Sequence, residues 1–173
     1  HVYMGPQVDD LLIDSDMWDT TALTDTTGLS FRTSGADYQA VINWQNAMRT
    51  TYPLAAAVKL EMAFNGEGAS GIYSPDTLTP AVKKNHAPFN WVSHTYTHAN
   101  LDTISYSAAS TELSRNHTTA TTQLRLTNYF RDALVQPDIS GLYNSEFHRA
   151  AKAFGIKYLI SDTSRPEWNN PTP

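Results

Sequence analysis

The sequence contains no cysteine, and its 173 residues include only 8 glycines and 9 prolines. The absence of cysteine excludes disulfides, thiolate nucleophiles and thiolate metal sites, so any metal ion must be bound by histidine and carboxylate side chains. The modest glycine and proline content, together with 4 Trp, 9 Tyr and 6 Phe, argues against a disordered chain. The length predicts one globular domain over residues 1–173.

Positive charge is also scarce, with 12 Lys and Arg against 17 Asp and Glu and a formal net charge of −5. Without a dense basic cluster, the sequence predicts no nucleic-acid partner. No window approaches the roughly 18 consecutive apolar residues of a membrane span. The beginning of the chain lacks the pattern of a signal peptide, which we interpret as an already processed or trimmed chain. The triplet Asn116-His117-Thr118 is a glycosylation sequon and favours a secreted protein.

Hydrophobic patterns predict that strands and helices alternate along the chain. Predicted strands end near residues 13, 64, 93, 135 and 161, and predicted helices cover residues 37–52, 76–84, 107–130 and 147–154. The segment 14–36 lacks periodicity and is predicted to be an irregular loop. The alternation predicts parallel strands joined by helical crossovers, an α/β fold. Closed barrels of this type use about eight strands, so we expect part of the barrel to be missing from this chain.

Two groups of polar side chains follow predicted strands, where reactive residues of parallel α/β folds gather. The pair Asp9-Asp10 follows the first strand, and His94 and His98 follow the third. Two imidazoles and one carboxylate can bind zinc or another divalent ion and leave positions open for water and substrate. Adjacent side chains at a strand end point in different directions. We therefore expect one acid to bind the ion and the other to accept protons, as in metal-assisted hydrolysis.

Each pattern alone has an ordinary structural explanation, because acid pairs are common in turns and the chain has 6 histidines. A non-catalytic glycan-binding domain with a metal site is the alternative function. Such a domain does not need the second acid, and a structural zinc site usually has four protein ligands. Trp18 and Trp168 are candidates for sugar stacking, whereas Trp91 is predicted to lie in the core. The remaining histidines lack partners at ligand spacing and are not predicted to bind metal.

The motifs resemble those of a known family. The segment Gln7-Val8-Asp9-Asp10 resembles the first motif of polysaccharide deacetylases of the NodB homology type, and Ser93-His94-Thr95-Tyr96-Thr97-His98 resembles the second. Together with Ile139-Ser140-Gly141-Leu142-Tyr143-Asn144, the wording is most similar to fungal galactosaminogalactan deacetylases. The resemblance extends from Gln7 to about Trp168 and implies a distorted (β/α) barrel.

The resemblance also implies roles for individual residues. Asp9 matches the catalytic base of the family, and Asp10, His94 and His98 match its metal ligands, usually of zinc. Asp162 resembles the acid of the fourth motif, which tunes the catalytic histidine. The implied substrate contacts are Pro137, Tyr143 and Trp168, and Gln136 stands where the family has arginine. The fifth motif, Leu-x-His, does not occur in this sequence, so no general acid is assigned.

By this resemblance, the expected activity is the removal of N-acetyl groups from an extracellular polysaccharide that contains N-acetylgalactosamine. The enzyme is expected to be secreted and associated with the cell wall. Its product would carry free amines and be cationic at neutral pH.

Overall fold

The computed structural model describes residues 5–160 and contains eleven helices and strands in an alternating order, with a hairpin inserted near the beginning. The elements are β1 Gln7–Leu11, β2 Ser15–Asp19, β3 Thr24–Phe31, α1 Gly35–Thr51, β4 Glu61–Phe64, α2 Leu78–Asn85, β5 Asn90–Ser93, α3 Tyr106–Thr118, β6 Tyr129–Leu134, α4 Ser145–Phe154 and β7 Tyr158–Leu159. Short 3₁₀ turns lie at Pro53–Ala55, Gly66–Ala69 and Pro137–Ile139.

Five strands form one parallel sheet in the order β1-β4-β5-β6-β7. The predicted α/β class is confirmed, and the five-stranded sheet corresponds to part of a distorted (β/α) barrel. Because all five strands are parallel, their carboxyl ends meet at one edge. The loops after β1, β4, β5 and β6 therefore lie side by side there. No helix within residues 5–160 is long and apolar enough to cross a lipid bilayer.

Two apolar clusters hold the helices against the sheet. The larger one joins α1 and α2 to β1, β4 and β5, and it includes Tyr38, Phe64 and Trp91. Trp91 is 0% exposed, which confirms its prediction as a core residue. The second cluster joins α3 and α4 to β6 around Leu134 and Phe147. The sheet is thus covered by helices that leave the carboxyl ends of its strands free to build a site.

The prediction of an irregular loop over residues 14–36 is wrong. Strands β2 and β3 form an antiparallel hairpin in this segment. Nearly all of its residues are exposed, including Trp18 at 58%. A ribbon with both faces exposed needs no alternation of apolar and polar residues, so the signal for a strand was absent.

Three predicted boundaries also move. The helix predicted up to residue 130 ends at Thr118, continues as one π-helical turn over Thr119–Gln123, and gives way to β6. Helix α1 begins after Ser34, whose hydroxyl accepts from the backbone N–H of Asp37, while the Asp37 carboxylate accepts from the backbone N–H of Ser34. This reciprocal capping box places Asp37 inside the helix, although we predicted it as the cap. Strand β4 covers only the last four residues of the strand predicted over 55–64.

Asn116 of the glycosylation sequon is 0% exposed. Its Nδ2 donates to the carbonyl oxygen of Phe64 at 3.0 Å and to Ser93 Oγ at 2.7 Å, and its Oδ1 accepts from the N–H of Gly66 at 2.7 Å. The Asn116 amide therefore links the ends of β4 and β5 through hydrogen bonds. In the folded domain the amide nitrogen of Asn116 is buried and both of its N–H groups donate, so this side chain is not open to carry a glycan.

Replacing Asn116 by Ala is expected to lower the free energy of unfolding by about 3 kcal/mol, since three buried polar partners lose their hydrogen bonds. Urea unfolding followed by circular dichroism measures the change. Asn43→Ala, at an exposed position on α1, is the matched control and should stay within about 0.5 kcal/mol of the original protein. Equal stability of the two variants would show that the hydrogen bonds of Asn116 contribute nothing to the free energy of unfolding.

Candidate metal centre

A β-bulge at the end of β1 aims both acids of the Asp9-Asp10 pair at the same point. Val8 pairs with Met62 and Leu11 pairs with Phe64, so two residues of β1 stand opposite the single residue Ala63. Bulges of this kind redirect side chains and are common beside active sites. Asp9 Oδ1 and Asp10 Oδ1 each lie 3.3 Å from His94 Nε2. The usual alternation along a strand predicts that the two side chains diverge, and the bulge instead brings both carboxylates to one imidazole nitrogen.

His94 follows β5 and is held in one orientation by a backbone contact. Its side chain is 2% exposed, and its Nδ1 lies 2.9 Å from the carbonyl oxygen of Val135. A carbonyl oxygen can only accept, so Nδ1 carries a proton, and Nε2, which faces the two carboxylates, is the ring atom available to a metal ion. A carbonyl contact of this kind is the usual partner of a metal-binding histidine.

His98 completes a cluster of three ligand atoms. Its Nε2 lies 3.2 Å from Asp10 Oδ1, and the ligand atoms of Asp10, His94 and His98 all lie within 4.8 Å of one another. Asp10 Oδ1 is buried and has no hydrogen-bond partner. An acceptor oxygen that is buried between two imidazole nitrogens is stabilised by a cation. The donor set of one oxygen and two nitrogens fits zinc or a similar divalent ion.

The site separates the pKa values of its two carboxyl groups. Partial burial raises the pKa of Asp9, and the charge of Asp10 adds to this effect, although His94 opposes it. The contact with His94 lowers the pKa of Asp10 in spite of its own partial burial. Burial lowers the pKa of His94, but Asp10 and the charge of Asp9 outweigh it and the net shift is upward. Opposite shifts in neighbouring acids are typical of sites that give them different tasks.

Three residues of this centre other than glycine have left-handed backbone. Asp10, Thr95 and His98 have φ values of 53°, 64° and 59°. Such conformations cost about 1 kcal/mol or more for residues other than glycine, and they persist only where the surroundings enforce them. Two of these three residues belong to the ligand cluster, and the third, a β-branched threonine, lies between the histidines. The backbone is therefore strained where the ligands are aimed.

Comparison with known proteins agrees with this geometry. The sequence model of the Agd3 deacetylase domain matches residues 75–173, more than half of the chain. The chain belongs to the Agd3 deacetylase domain family. This confirms the resemblance to polysaccharide deacetylases that the sequence motifs indicated. No curated protein matches the chain.

Solved structures show that the family fold extends over nearly the whole chain. The crystal structure of Agd3, a carbohydrate deacetylase, superposes with a TM-score of 0.78 at 18% identity, covering 96% of this chain and 32% of that chain. A family 4 carbohydrate esterase from Streptomyces lividans, in complex with acetate, gives 0.56 at 16% identity over 92% and 62% of the two chains. The peptidoglycan N-acetylglucosamine deacetylase Bc1960 gives 0.53 at 14% identity over 91% and 56%. The chain thus spans about a third of the length of Agd3.

Of the other site residues that the resemblance to polysaccharide deacetylases implies, the structure describes Tyr143 and Pro137. Tyr143 is 73% exposed and lines a cavity of about 270 Å³ with Asp102 and Asp138, between the loops that follow β5 and β6. Pro137 is buried at the start of the turn after β6 and does not line this cavity. Asp162 and Trp168 lie outside the described residues. Their roles stay predictions, as do those of the residues in the ligand cluster.

Three further histidines of the described part of the chain, His86, His117 and His148, are not members of the ligand cluster. His86 precedes β5, at the opposite end of the sheet, where its Nδ1 accepts from the backbone N–H of Thr127 at 3.2 Å. His148 lies on α4 and contacts the carbonyl oxygen of Leu142. Within residues 5–160, Asp10, His94 and His98 form the one group of three or more potential ligands.

Sequence reasoning missed two residues on α3 that lie beneath the centre. Ala109, Glu112, Leu113 and Asn116 are the buried residues of this helix, at the i, i+3, i+4 and i+7 spacing of a core-facing stripe. Two polar residues in an apolar stripe are a detectable signal, because buried polar groups require partners. Those partners are the strand ends and the loop that carry the ligands.

Proposed function

We propose that this domain is a metal-dependent hydrolase that removes N-acetyl groups from a polysaccharide. The observation that carries the proposal is the convergence of one carboxylate and two imidazoles on one point, with a second carboxylate 3.3 Å from the same imidazole nitrogen. A structural metal site would use its ligands to close the coordination shell. Here Asp9 is half exposed and has a raised pKa, as expected for an acid that exchanges protons.

Asp10, His94 and His98 would bind the ion, which we propose to be zinc. When bound, such an ion polarises a carbonyl group and lowers the pKa of water from about 15.7 towards 7. The Val135 carbonyl oxygen holds His94 in the tautomer that binding requires. The bulge and the left-handed backbone of Asp10 hold its Oδ1 between the two rings.

Asp9 would accept the proton of the attacking water. Its carboxylate borders the ligand cluster without being one of the three grouped ligands, and it is open to solvent and substrate. Water would add to the acetamide carbonyl carbon as Asp9 takes one of its protons. The sugar nitrogen would gain a proton, which balances the one taken by Asp9, as the bond between that carbon and the nitrogen breaks, and acetate and a free amine result. Asp162 is proposed to tune the catalytic histidine, as its match to the fourth motif of the family implies.

The proposed substrate is an extracellular polymer containing N-acetylgalactosamine, and the proposed location is outside the cell at the wall. The support is membership of the Agd3 deacetylase domain family, together with the motif wording closest to galactosaminogalactan deacetylases. The cavity of about 270 Å³ beside Tyr143 lies between the loops after β5 and β6, and we propose that it receives a sugar ring of the polymer. Pro137, Tyr143 and Trp168 are the proposed substrate contacts.

Removal of metal tests the proposal directly. The purified protein is expected to contain about one zinc ion per chain and to release acetate from N-acetylated galactosamine polymer. Dialysis against a chelator should abolish acetate release, and one equivalent of Zn²⁺ should restore it. Metal content is read by atomic emission, and acetate by a coupled enzymatic assay.

The same experiment separates the enzyme from a binding domain. A protein that contains zinc and retains the polymer, but releases no acetate from it, would be the glycan-binding domain that the sequence also allowed. A protein that releases acetate equally well after chelation would contradict the metal-dependent mechanism.

A further inference from the structure

The loop between the two metal-ligating histidines is held from below by one carboxylate of α3. Glu112 Oε2 accepts from the backbone N–H groups of Tyr96 and Thr97, each at 2.8 Å. Its Oε1 accepts from the hydroxyl of Thr97 at 2.9 Å. These three contacts reach residues that lie between His94 and His98 and are separated from Glu112 by 15 and 16 positions in the sequence.

The carbonyl groups of the same loop are held from the opposite direction. Asn65, at the end of β4, donates its Nδ2 to the carbonyl oxygen of His94 at 2.5 Å and to that of Thr95 at 3.3 Å. The N–H of Glu67 donates to the carbonyl oxygen of Tyr96 at 3.0 Å. Glu112 thus supplies the acceptors, and the end of β4 supplies the donors, for the peptide groups that join the two imidazoles.

Burying the Glu112 carboxylate at its position carries a large desolvation free energy. Glu112 is 9% exposed, it occupies a helix face that otherwise packs in the core, and no salt bridge to it occurs within residues 5–160. A buried carboxylate without a cationic partner needs several hydrogen bonds to offset its desolvation. All three that it receives come from the loop, and that loop has left-handed backbone at Thr95 and His98.

We propose that Glu112 is a positioning residue that holds the His94–His98 loop in its strained conformation, so that both imidazole nitrogens stand ready to bind the ion. The proposal rests on the proposed metal-binding function of this loop. Without the carboxylate, the two N–H groups lose their acceptor, and the loop can relax away from the left-handed conformation. The rings would then have to be brought together at the moment of binding, at a cost to metal affinity.

Substitution of Glu112 by Gln or by Ala separates the effect of its hydrogen bonds from the effect of the volume of its side chain. In Glu112→Gln, the amide oxygen can accept from both backbone N–H groups while the amide nitrogen donates to the hydroxyl oxygen of Thr97. This variant should bind Zn²⁺ within about threefold of the original affinity, because all three contacts can be kept. Glu112→Ala removes all three and should weaken binding about 10- to 100-fold, the range for residues that orient metal ligands. Glu146→Ala, a glutamate on the surface of α4 paired with Arg149, is the control and should leave affinity unchanged.

The affinity is measured by isothermal titration calorimetry, in which Zn²⁺ alone is added to the metal-free protein. The visible absorption of the Co²⁺ form provides a second readout, because it reports the coordination geometry. A merely structural role would lower the melting temperature of Glu112→Ala while leaving the Zn²⁺ affinity and the Co²⁺ spectrum of the folded protein unchanged. Weakened binding with a changed spectrum in Glu112→Ala, together with recovery in Glu112→Gln, is the expected result.

A second variant decides the question if Glu112→Ala does not fold. Thr97→Val removes only the hydroxyl contact at an exposed position and should weaken Zn²⁺ binding about five- to tenfold, outside the range expected for Glu112→Gln, because one hydrogen bond to a charged group is lost. Unchanged affinity in Thr97→Val, or in a folded Glu112→Ala, overturns the assignment of Glu112. Failure of the original protein to bind Zn²⁺ in the same titration instead contradicts the proposed function itself.

Discussion

Asp9→Asn is expected to lower the rate of acetate release by about 10²- to 10⁴-fold, the usual contribution of a general base. Asparagine has the size of aspartate but cannot take a proton from water. Zinc content should remain about one ion per chain, because the three grouped ligands are Asp10, His94 and His98. The two quantities are measured on the same preparation, by metal analysis and by acetate assay.

The matched control for Asp9 is Asp16→Asn, which makes the same chemical change at an exposed position on β2. Its activity and zinc content should equal those of the original protein. If Asp9→Asn loses its zinc together with its activity, Asp9 is a ligand and the division of labour between the two acids is wrong. If it keeps both, Asp9 is not the base.

His94→Ala is expected to reduce the affinity for Zn²⁺ by more than about 100-fold, beyond the range found for outer residues that only orient ligands. The ring is central to the cluster, since its Nε2 lies 3.3 Å from both carboxylates. At the zinc concentration that half-saturates the original protein, His94→Ala should release no acetate. Calorimetric titration of the metal-free variant gives the affinity.

His86→Ala is the control for this substitution, because His86 lies before β5 and His94 lies after it. Removing an imidazole there should leave zinc affinity and acetate release unchanged. An equal loss in both variants would mean that the effect of His94→Ala comes from general destabilisation. Unchanged zinc binding in His94→Ala would contradict the metal centre itself.

Where a local pattern and the tertiary structure agreed, the sequence predicted the fold well. Helix α4 shows this, since the apolar residues 147, 150, 151 and 154 follow one face, Asn144 caps the first turn and Gly155 ends the helix at φ 99°. The alternation of strands and helices likewise predicted the parallel sheet. Hairpin β2–β3 was missed because neither face of it is buried, so its sequence carries no alternation.

The predicted site came together because strand ends of a parallel sheet share one edge, which placed Asp10 near His94 and His98 across about eighty positions of sequence. The direction of Asp9 could not be predicted in the same way. It depends on a bulge opposite Ala63, and the pairing partner that defines a bulge is distant in sequence. Glu112 was missed for a related reason, since its partners are backbone groups of another element.

The position of β1 in the sheet gives a bound ion a mechanical consequence. Among the strands of residues 5–160, β1 lies at one end of the sheet order, and β5, with β4 between them, is the central one. An ion bound by Asp10 on β1 and by the histidines after β5 would link β1 to the central strand of the sheet. Peripheral segments of a domain open at a lower free energy than its core strands. Binding of the ion would therefore suppress the opening of β1, and the rigidity of β1 would report whether the site is occupied.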